Sequence, residues 1–455
     1  DLEVFQLPAR EVDCSTVAGL NNGSGTCLSS RAYRVTSTYP VIAYQFNPLE
    51  NVGVFSNDAS LLTPSNSVEG QYIALGYPQQ WSRTTNPDTN GNEEIRAFLT
   101  IVGTQPDTRV RITATADVIP GGPLMARQPA GMPFEVRLGP FDVLNLETGA
   151  FLADFTGTTI APDKPVAVFS GTECSDVPFW RTGSERQPAC DHIEEQLFPA
   201  RTAGQSYVAS RSPSRTQAVS NAGATVAVVN EPEWFRVLNA STAPVRVTTT
   251  LPENVEMPAG PTVEFELDIG QFRDIRALAD FTIRGDGPLI VGQLMGSQQT
   301  TGIPFTLPGG DPALIMVPPV EQWRSEYVFL TPNRYAFDFV QIVARPSATV
   351  YLDDTPVADF TDCTRSRSDG CIETPRHECP APVYVTYRCQ LSFPRIDASA
   401  NPPTVATGRQ GDGVHVVRAE APPGMPPETV MVLVSGFDRY VSYSYAGGTN
   451  VRPLR

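Results

Sequence analysis

Proline occupies 43 of 455 positions, spread along the chain without a period. Inside a helix a proline removes a backbone hydrogen bond and collides with the preceding turn, at about 3 kcal/mol. Long helices are therefore excluded, and the lack of a Gly-X-Y period excludes a collagen-like rod. The intervals between prolines read as strands. FLTIV (98–102), TRVRIT (108–113), VRVTTT (245–250), TVEFELD (262–268), SATVYL (347–352) and VMVLV (430–434) are short, β-branched, often alternating, and bounded by Pro, Gly, Asn or Asp. No amphipathic helix pattern stands out, and the expected fold class is all-β.

These segments return in a fixed order. Leu62-x-Pro64 is followed eight residues on by Tyr72-Ile73-Ala74, Phe198-Pro199 at the same distance by Tyr207-Val208-Ala209, and Val317-Pro318 at nine by Tyr327-Val328-Phe329. A strand pair lies downstream of each: LTIV (99–102) with VRI (110–112), FRVL (235–238) with VRV (245–247), VQIV (340–343) with VYL (350–352). Two units close alike, with ADFT (153–156) then PVAVF (165–169), and ADFT (279–282) then PLIVG (288–292); the third closes with VMVLV. Tyr72 to Tyr207 is 135 residues, Tyr207 to Tyr327 is 120, and Pro165 to Pro288 is 123. Such a unit exceeds a propeller blade of about 40–50 residues and suits a β-sandwich of about 100 with loop insertions. The expectation is three tandem β-sandwich-like modules, 56–175, 176–300 and 301–455, after a partial N-terminal β-unit, 1–55. In that unit YRVTSTYPVIAYQF (33–46) matches a closing element, with Pro40 in the place of Pro165 and Pro288. It is too small to hold a core alone and is expected to pack onto or complete a neighbouring sheet. Proline is thus partly the punctuation of a repeat.

The eight cysteines fall in local groups inside Pro/Gly-rich loops, which reads as disulfides formed in an oxidising compartment. Cys14–Cys27 and Cys174–Cys190 are the expected first two. Cys363, Cys371, Cys379 and Cys389 permit three connectivities, of which Cys363–Cys389 around a nested Cys371–Cys379 is preferred. The rival, a zinc site, has no CxxC, and its spacings of seven, seven and nine intervening residues do not resemble a zinc ribbon. The chain begins at Asp1, so removal of an upstream secretory signal is expected. No apolar run approaches the roughly 18–20 residues that span a bilayer. A formal charge of -16, with Lys164 the single lysine, supplies no basic face for nucleic acid.

Catalytic constellations are missing from the sequence: there is no GxSxG elbow, HExxH helix or phosphate-cradling glycine loop, and no catalytic residue is nominated. Of His192, His377 and His415, only His192 has suggestive neighbours, in CDHIEEQ (190–196). There Asp191, Glu194 and Glu195 beside the imidazole could orient a base or hold a cation or ligand; the competing reading is a bridged turn feeding a strand whose polar residues pair locally. Trp81, Phe179 and Trp180 lie in loops, where aromatics bind sugars or protein partners, although Trp180 equally suits a cap on its own core. Oxygen donors at Asp88, Asn90 and Asn92 in NPDTNGNEE (86–94) suit calcium, but Gly91 stands fourth where an EF-hand has its glycine sixth, so a solvated hairpin insertion competes. No other cofactor is expected. Asn22 and Asn239 head sequons that a eukaryotic secretory pathway would read.

YRVTSTYPVIAYQFNPL (33–49), SNDASLLTPS (56–65), DKPVAVFSG (163–171) and DHIEEQLFPA (191–200) resemble the N-terminal domain family named after the mucus IgGFc-binding protein, particularly its bacterial secreted members. The resemblance runs from about Tyr33 to Gly448. It implies a secreted or cell-surface, β-rich, non-enzymatic binding region, while the cysteine-dense modules that follow this domain in the mucus protein are lacking. The expected function is adhesion or recognition, with loops presented to glycan or protein partners. The alternative is a structural subunit of an extracellular filament, sheath or surface layer, self-associating where an incomplete N-terminal unit leaves a strand edge open.

Overall fold

The computed structural model describes residues 2–8, 12, 14, 25–49, 54, 56–82 and 94–454. Three short strands come first: β1 (Cys27–Ser29), β2 (Ala43–Asn47) and β3 (Asp58–Leu62). The first unit holds β4 (Tyr72–Ile73), β5 (Ala97–Gly103), β6 (Thr108–Thr113), β7 (Pro133–Leu138), β8 (Val143–Glu147), β9 (Thr159–Pro162), β10 (Val166–Ser175) and β11 (Asp191–Gln196). They form two antiparallel sheets, β4-β9-β6-β7 and β8-β5-β10-β11, with β1 added beside β8. The second unit has β12 (Gly204–Ala209), β13 (Glu233–Asn239), β14 (Val245–Pro252), β15 (Thr262–Leu267), β16 (Phe272–Ala277), β17 (Phe281–Leu294) and β18 (Leu314–Met316). Here one long strand does the work of two: β12 and β14 pair with the first half of β17, β13 and β18 with its second half.

The third unit contains β19 (Glu326–Thr331), β20 (Phe337–Ala344), β21 (Thr349–Leu352), β22 (Thr355–Pro356), β23 (Cys363–Arg367), β24 (Val385–Gln390), β25 (Phe393–Asp397), β26 (Thr404–Arg409), β27 (Gly413–Glu420), β28 (Met431–Asp438) and β29 (Val441–Ala446). Its sheets run β19-β27-β21-β22 and β23-β24-β20-β28-β29, with β25 and β26 a separate hairpin. One strand order therefore occurs three times, so the repeat seen in the sequence is a repeat of sheet topology. The boundaries expected at 175 and 300 each fall one strand short of a sheet edge. β11 pairs with β10 and β18 with β17 beyond those points, because the partner of each closing strand comes next in the chain.

Burial divides the two sheets of each unit. In the outer sheets side chains alternate: Val110 and Ile112 of β6 point into the core while Arg109 and Arg111 face water, as the two-residue period of a strand requires. The other sheets are buried on both faces, so that every residue of β8, β13, β20 and β29 is inaccessible. One face of these inner sheets packs on apolar core. The second carries Thr100, Asn145, Arg236 and Gln341, polar yet buried, so these sheets are covered by neighbouring structure on their polar side. The cores also merge: Leu99, Ile101 and Val168 belong to one cluster with Trp234, Ile290 and Met316 of the second unit.

Among the described residues there is one α-helix, the seven-residue Arg215–Asn221, where no amphipathic helix pattern stood out in the sequence. Ser214 caps it by accepting from the Gln217 N–H, and Ala218 and Val219 bury against Ile303 and Leu307. The disulfides are Cys14–Cys27, Cys174–Cys190, Cys363–Cys389 and Cys371–Cys379, the preferred connectivity. Cys363 and Cys389 face one another across β23 and β24.

Arginine–aspartate clamps join successive units. Arg236 on β13, 1 % exposed, reaches into the first unit, donating to Asp154 Oδ2 at 2.6 Å and to the Gly76 carbonyl at 2.7 Å. It also bonds both oxygens of Asp274, at 2.8 and 2.9 Å, and lies over the Tyr77 and Phe272 rings. Burial opposes its charge, but Asp154 and Asp274 more than reverse that and hold its pKa above the ordinary value. Arg388 on β24 grips Asp280 at 2.6 and 2.8 Å and the Arg211 carbonyl at 2.8 Å, tying the third unit to the second. Asp154 and Asp280 are the aspartates of the two ADFT motifs. Removing one partner of a buried pair leaves an uncompensated charge, at about 3–5 kcal/mol. Arg236→Ala is therefore expected to lose about 3–5 kcal/mol of unfolding free energy, measured by denaturant titration; a loss under about 1 kcal/mol would show that the clamp is dispensable.

Candidate functional site

The end of the first unit gathers aromatic and charged side chains around the loop closed by Cys174–Cys190. Trp180 is only 1 % exposed; its Nε1 donates to Asp176 Oδ2 at 3.0 Å, and Arg186 Nε donates to the same oxygen at 2.7 Å. Trp81, half-buried, meets Trp180 edge to face at 5.9 Å and lies under the Arg186 guanidinium. Phe151 also packs on Trp180, tilted at 5.5 Å. Phe179, also half-buried, stands edge-on to Tyr77 with Arg181 over its ring. Trp180 thus caps its own core and offers no face to a ligand, while Trp81 and Phe179 keep partial access.

Beside this cluster a broad open cleft of about 850 Å³ separates the first unit from the β15–β16 turn of the second. Its lining includes Asp117, Arg127, Phe151, Asp154, Gln271 and Phe272. Asp117 and Arg127 form an exposed ion pair at 3.1 Å, and Asp154, held by Arg236, lies deeper. Two half-buried rings, one amide and one ion pair on facing elements make a surface for recognition. The units touch beneath it at Gly157 and Gly270: a Cβ on Gly157, which has φ +90°, would collide with the Gly270 carbonyl.

His192, Glu194 and Glu195 have partners within the chain. The His192 ring stacks on Phe98 at 5.7 Å, and its Nε2 lies 3.4 Å from Asn47 Nδ2. Glu194 Oε1 accepts from Gln45 at 2.7 Å. Glu195, 2 % exposed, accepts from Ser60 Oγ at 2.7 Å and the Met316 N–H at 3.3 Å, joining β3, β11 and β18. Burial, and then the nearby Asp58, push its carboxyl well above the usual carboxylate range despite those donors. These residues hold the β2–β3 hairpin in place through partners more than 130 positions away in the chain. Asp88, Asn90 and Asn92 lie outside the described residues, as does Asn22. The Asn239 sequon is buried in β13, where its amide donates to the Ala243 and Leu267 carbonyls, so no glycan can reach it. Cys371, His377 and Cys379 converge, but the sulfurs are bonded to each other and offer no thiolate to a metal.

His415 has the outline of a catalytic arrangement, with Asp353 Oδ2 2.7 Å from Nδ1 and Thr331 Oγ1 3.1 Å from Nε2. The chemistry does not follow. Nε2 also faces the Gly411 carbonyl at 2.8 Å and the Thr331 hydroxyl donates to that same carbonyl, so the ring nitrogen is a donor and cannot accept the hydroxyl proton. Both groups are buried. Sequence reasoning missed Arg236, Asp117, Arg127 and Gln271. The ADFT repeat was the one signal, since its aspartate recurs in front of a partner that lies 82 or 108 positions away.

The family description "IgGFc binding protein" matches residues 58–424. The chain belongs to this family. It is also 24 % identical over 184 residues to the Homo sapiens protein named IgGFc-binding protein, an alignment covering 40 % of this chain and 3 % of that protein. The matched family region takes in the cleft, both clamps and strands β3 to β27, and stops short of β28 and β29 of the third inner sheet.

Burial lowers the His415 pKa, but the Asp353 carboxylate and Gly411 carbonyl outweigh it and leave the value raised. A histidine whose folded pKa exceeds its unfolded value, about 6.5, contributes stability that is fully present below that pH and lost as pH climbs through the folded value. The stability gap between the wild-type chain and His415→Gln should therefore shrink from mildly acidic to alkaline pH, followed by denaturant unfolding. A gap that stays constant or widens would remove the ion pair from the account.

Proposed function

We propose that this chain is an extracellular, non-enzymatic recognition protein that uses the cleft between its first and second units to hold a protein partner. The observation that carries this reading is the cleft itself, where Asp117 and Arg127 stand across from Gln271 and Phe272. Its breadth suits an extended segment or loop of a macromolecule better than an enclosed small ligand. Family membership, four disulfides and a His415 site unable to act as a base support the same reading. The human relative is named for immunoglobulin Fc, which makes Fc one probe among several. A glycan partner engaging Trp81 and Phe179 is the competing occupant. The filament reading drew on an open edge in the N-terminal unit. β1 pairs with β8, and β2 and β3 pair with each other and pack inside the chain, which supports the recognition reading over it.

Arrays of extracellular proteins, Fc included, and of glycans, probed with the purified chain, should return protein ligands. Arg127→Glu should then weaken binding by about 2 kcal/mol, roughly thirtyfold, without moving the thermal midpoint, because Arg127 is exposed at the cleft rim. Unchanged affinity in that variant, or binding confined to glycans, would overturn the assignment.

A further inference from the structure

Four strand edges meet at the centre of the molecule, and three of them begin with an aspartate or lie just behind one: Asp58 opens β3, Asp191 opens β11, and Asp311 precedes β18. All three are essentially inaccessible. Asp58 is fully engaged, accepting from the N–H groups of Ala59, Glu194 and Leu314. Asp191 and Asp311 are not. Asp191 Oδ1 accepts from the N–H groups of Asn57 and His192, but its Oδ2 is buried without a hydrogen-bond partner. Asp311 Oδ1 is also buried and unpartnered.

A third oxygen belongs with them. Asn57 is fully buried beside Asp191; its side-chain N–H donates to the Tyr335 hydroxyl, and its Oδ1 has no donor. Three inaccessible oxygens, two of them on carboxyl groups, are thus left without hydrogen-bond partners. Arg215 lies close enough to act on Asp311 but is already bonded to Glu231 at 3.2 Å and the Gly309 carbonyl at 3.0 Å. After burial itself, the charge of Asp311 is the strongest influence on Asp191, pushing it further from its ordinary carboxylate range. Unpaired buried charge is among the costliest arrangements in a folded chain.

We propose that Asp191 and Asp311, together with the Asn57 amide oxygen, bind a calcium ion at the junction of the three units. The donor set is oxygen only, mixing carboxylates with a neutral carbonyl, which calcium favours and softer metals do not. The ion would neutralise both aspartates and bridge β11, β18 and the β2–β3 hairpin, so occupancy fastens the units together. This site is separate from the 86–94 loop and independent of the cleft.

Calcium titrated into chelator-treated full-length chain, followed by calorimetry, should give saturable heat and raise the thermal midpoint. Asp311→Asn should lose about tenfold or more in affinity, and in chelator it should unfold at a higher temperature than the wild-type chain because one buried charge is gone. Asp88→Asn should bind as wild type does. Terbium in place of calcium should show tyrosine-sensitised emission that falls in Tyr335→Phe and is displaced by calcium. Absence of heat and of any midpoint shift in the wild-type chain overturns the site. So does calcium binding that survives Asp311→Asn and disappears in Asp88→Asn.

Discussion

The structure depends on how it handles the edges of its inner sheets. β11 and β29 end their sheets, and β18 lies on the flank of β17, so each presents backbone N–H groups with no further strand to accept them. Left in water, such edges template association; left buried, each lost hydrogen bond is costly. Here side chains accept in place of a strand. Asp58 takes the N–H groups of Glu194 and Leu314, Glu195 that of Met316, Gln196 that of Thr63, and Ser60 that of Gln196. Because these acceptors come from a neighbouring strand in nearly every case, no unit completes its edge alone. The β2–β3 hairpin is the shared piece, with the Tyr44 ring tilted against Tyr445 at 4.3 Å and Phe46 edge-on to Tyr443.

Acids recruited for this role are buried, and their ionisation is accordingly suppressed. Burial is the first cause raising Asp58, Asp191, Glu195, Asp311 and Asp338, with the neighbouring carboxylates adding to it in most cases. An acid whose folded pKa lies above its unfolded value adds stability that is complete at low pH and lost as pH rises through the folded value. The centre of the molecule is therefore most secure when protonated or neutralised by a cation. The arginine clamps work by the opposite logic, each guanidinium meeting one or two carboxylates and a backbone carbonyl, so that buried positive charge is paired where the units join.

Much of this was legible in the residues. Alternation in TRVRIT announced an outer strand, and the spacing of Pro64, Pro199 and Pro318 announced equivalent positions, because proline cannot donate to a ladder and so gathers at strand starts, edges and bulges. Local cysteine pairs announced their partners, since a short loop keeps both sulfurs within reach. Other features were hidden. The run DHIEEQ reads either as a ligand or cation cluster or as a strand with locally paired polar residues; it is an edge strand whose polar side chains meet groups of the distant β2–β3 hairpin and β18. Trp180 could not be assigned from its loop, because whether a loop aromatic faces solvent depends on Asp176 and Phe151 arriving around it.

By itself the sequence determined the fold class, the threefold recurrence of one strand order, the disulfide compartment and the absence of long helices. All of these follow from local chemistry: backbone sterics at proline, two-residue alternation, and cysteine spacing. Only the tertiary structure decided that the units share cores, that ADFT aspartates receive an arginine from the next unit, and that a cleft opens between Arg127 and Phe272. Those outcomes hinge on residues scores of positions apart, whose meeting no local pattern records, since hydrogen bonds and ion pairs carry no trace in sequence of which partner satisfies them.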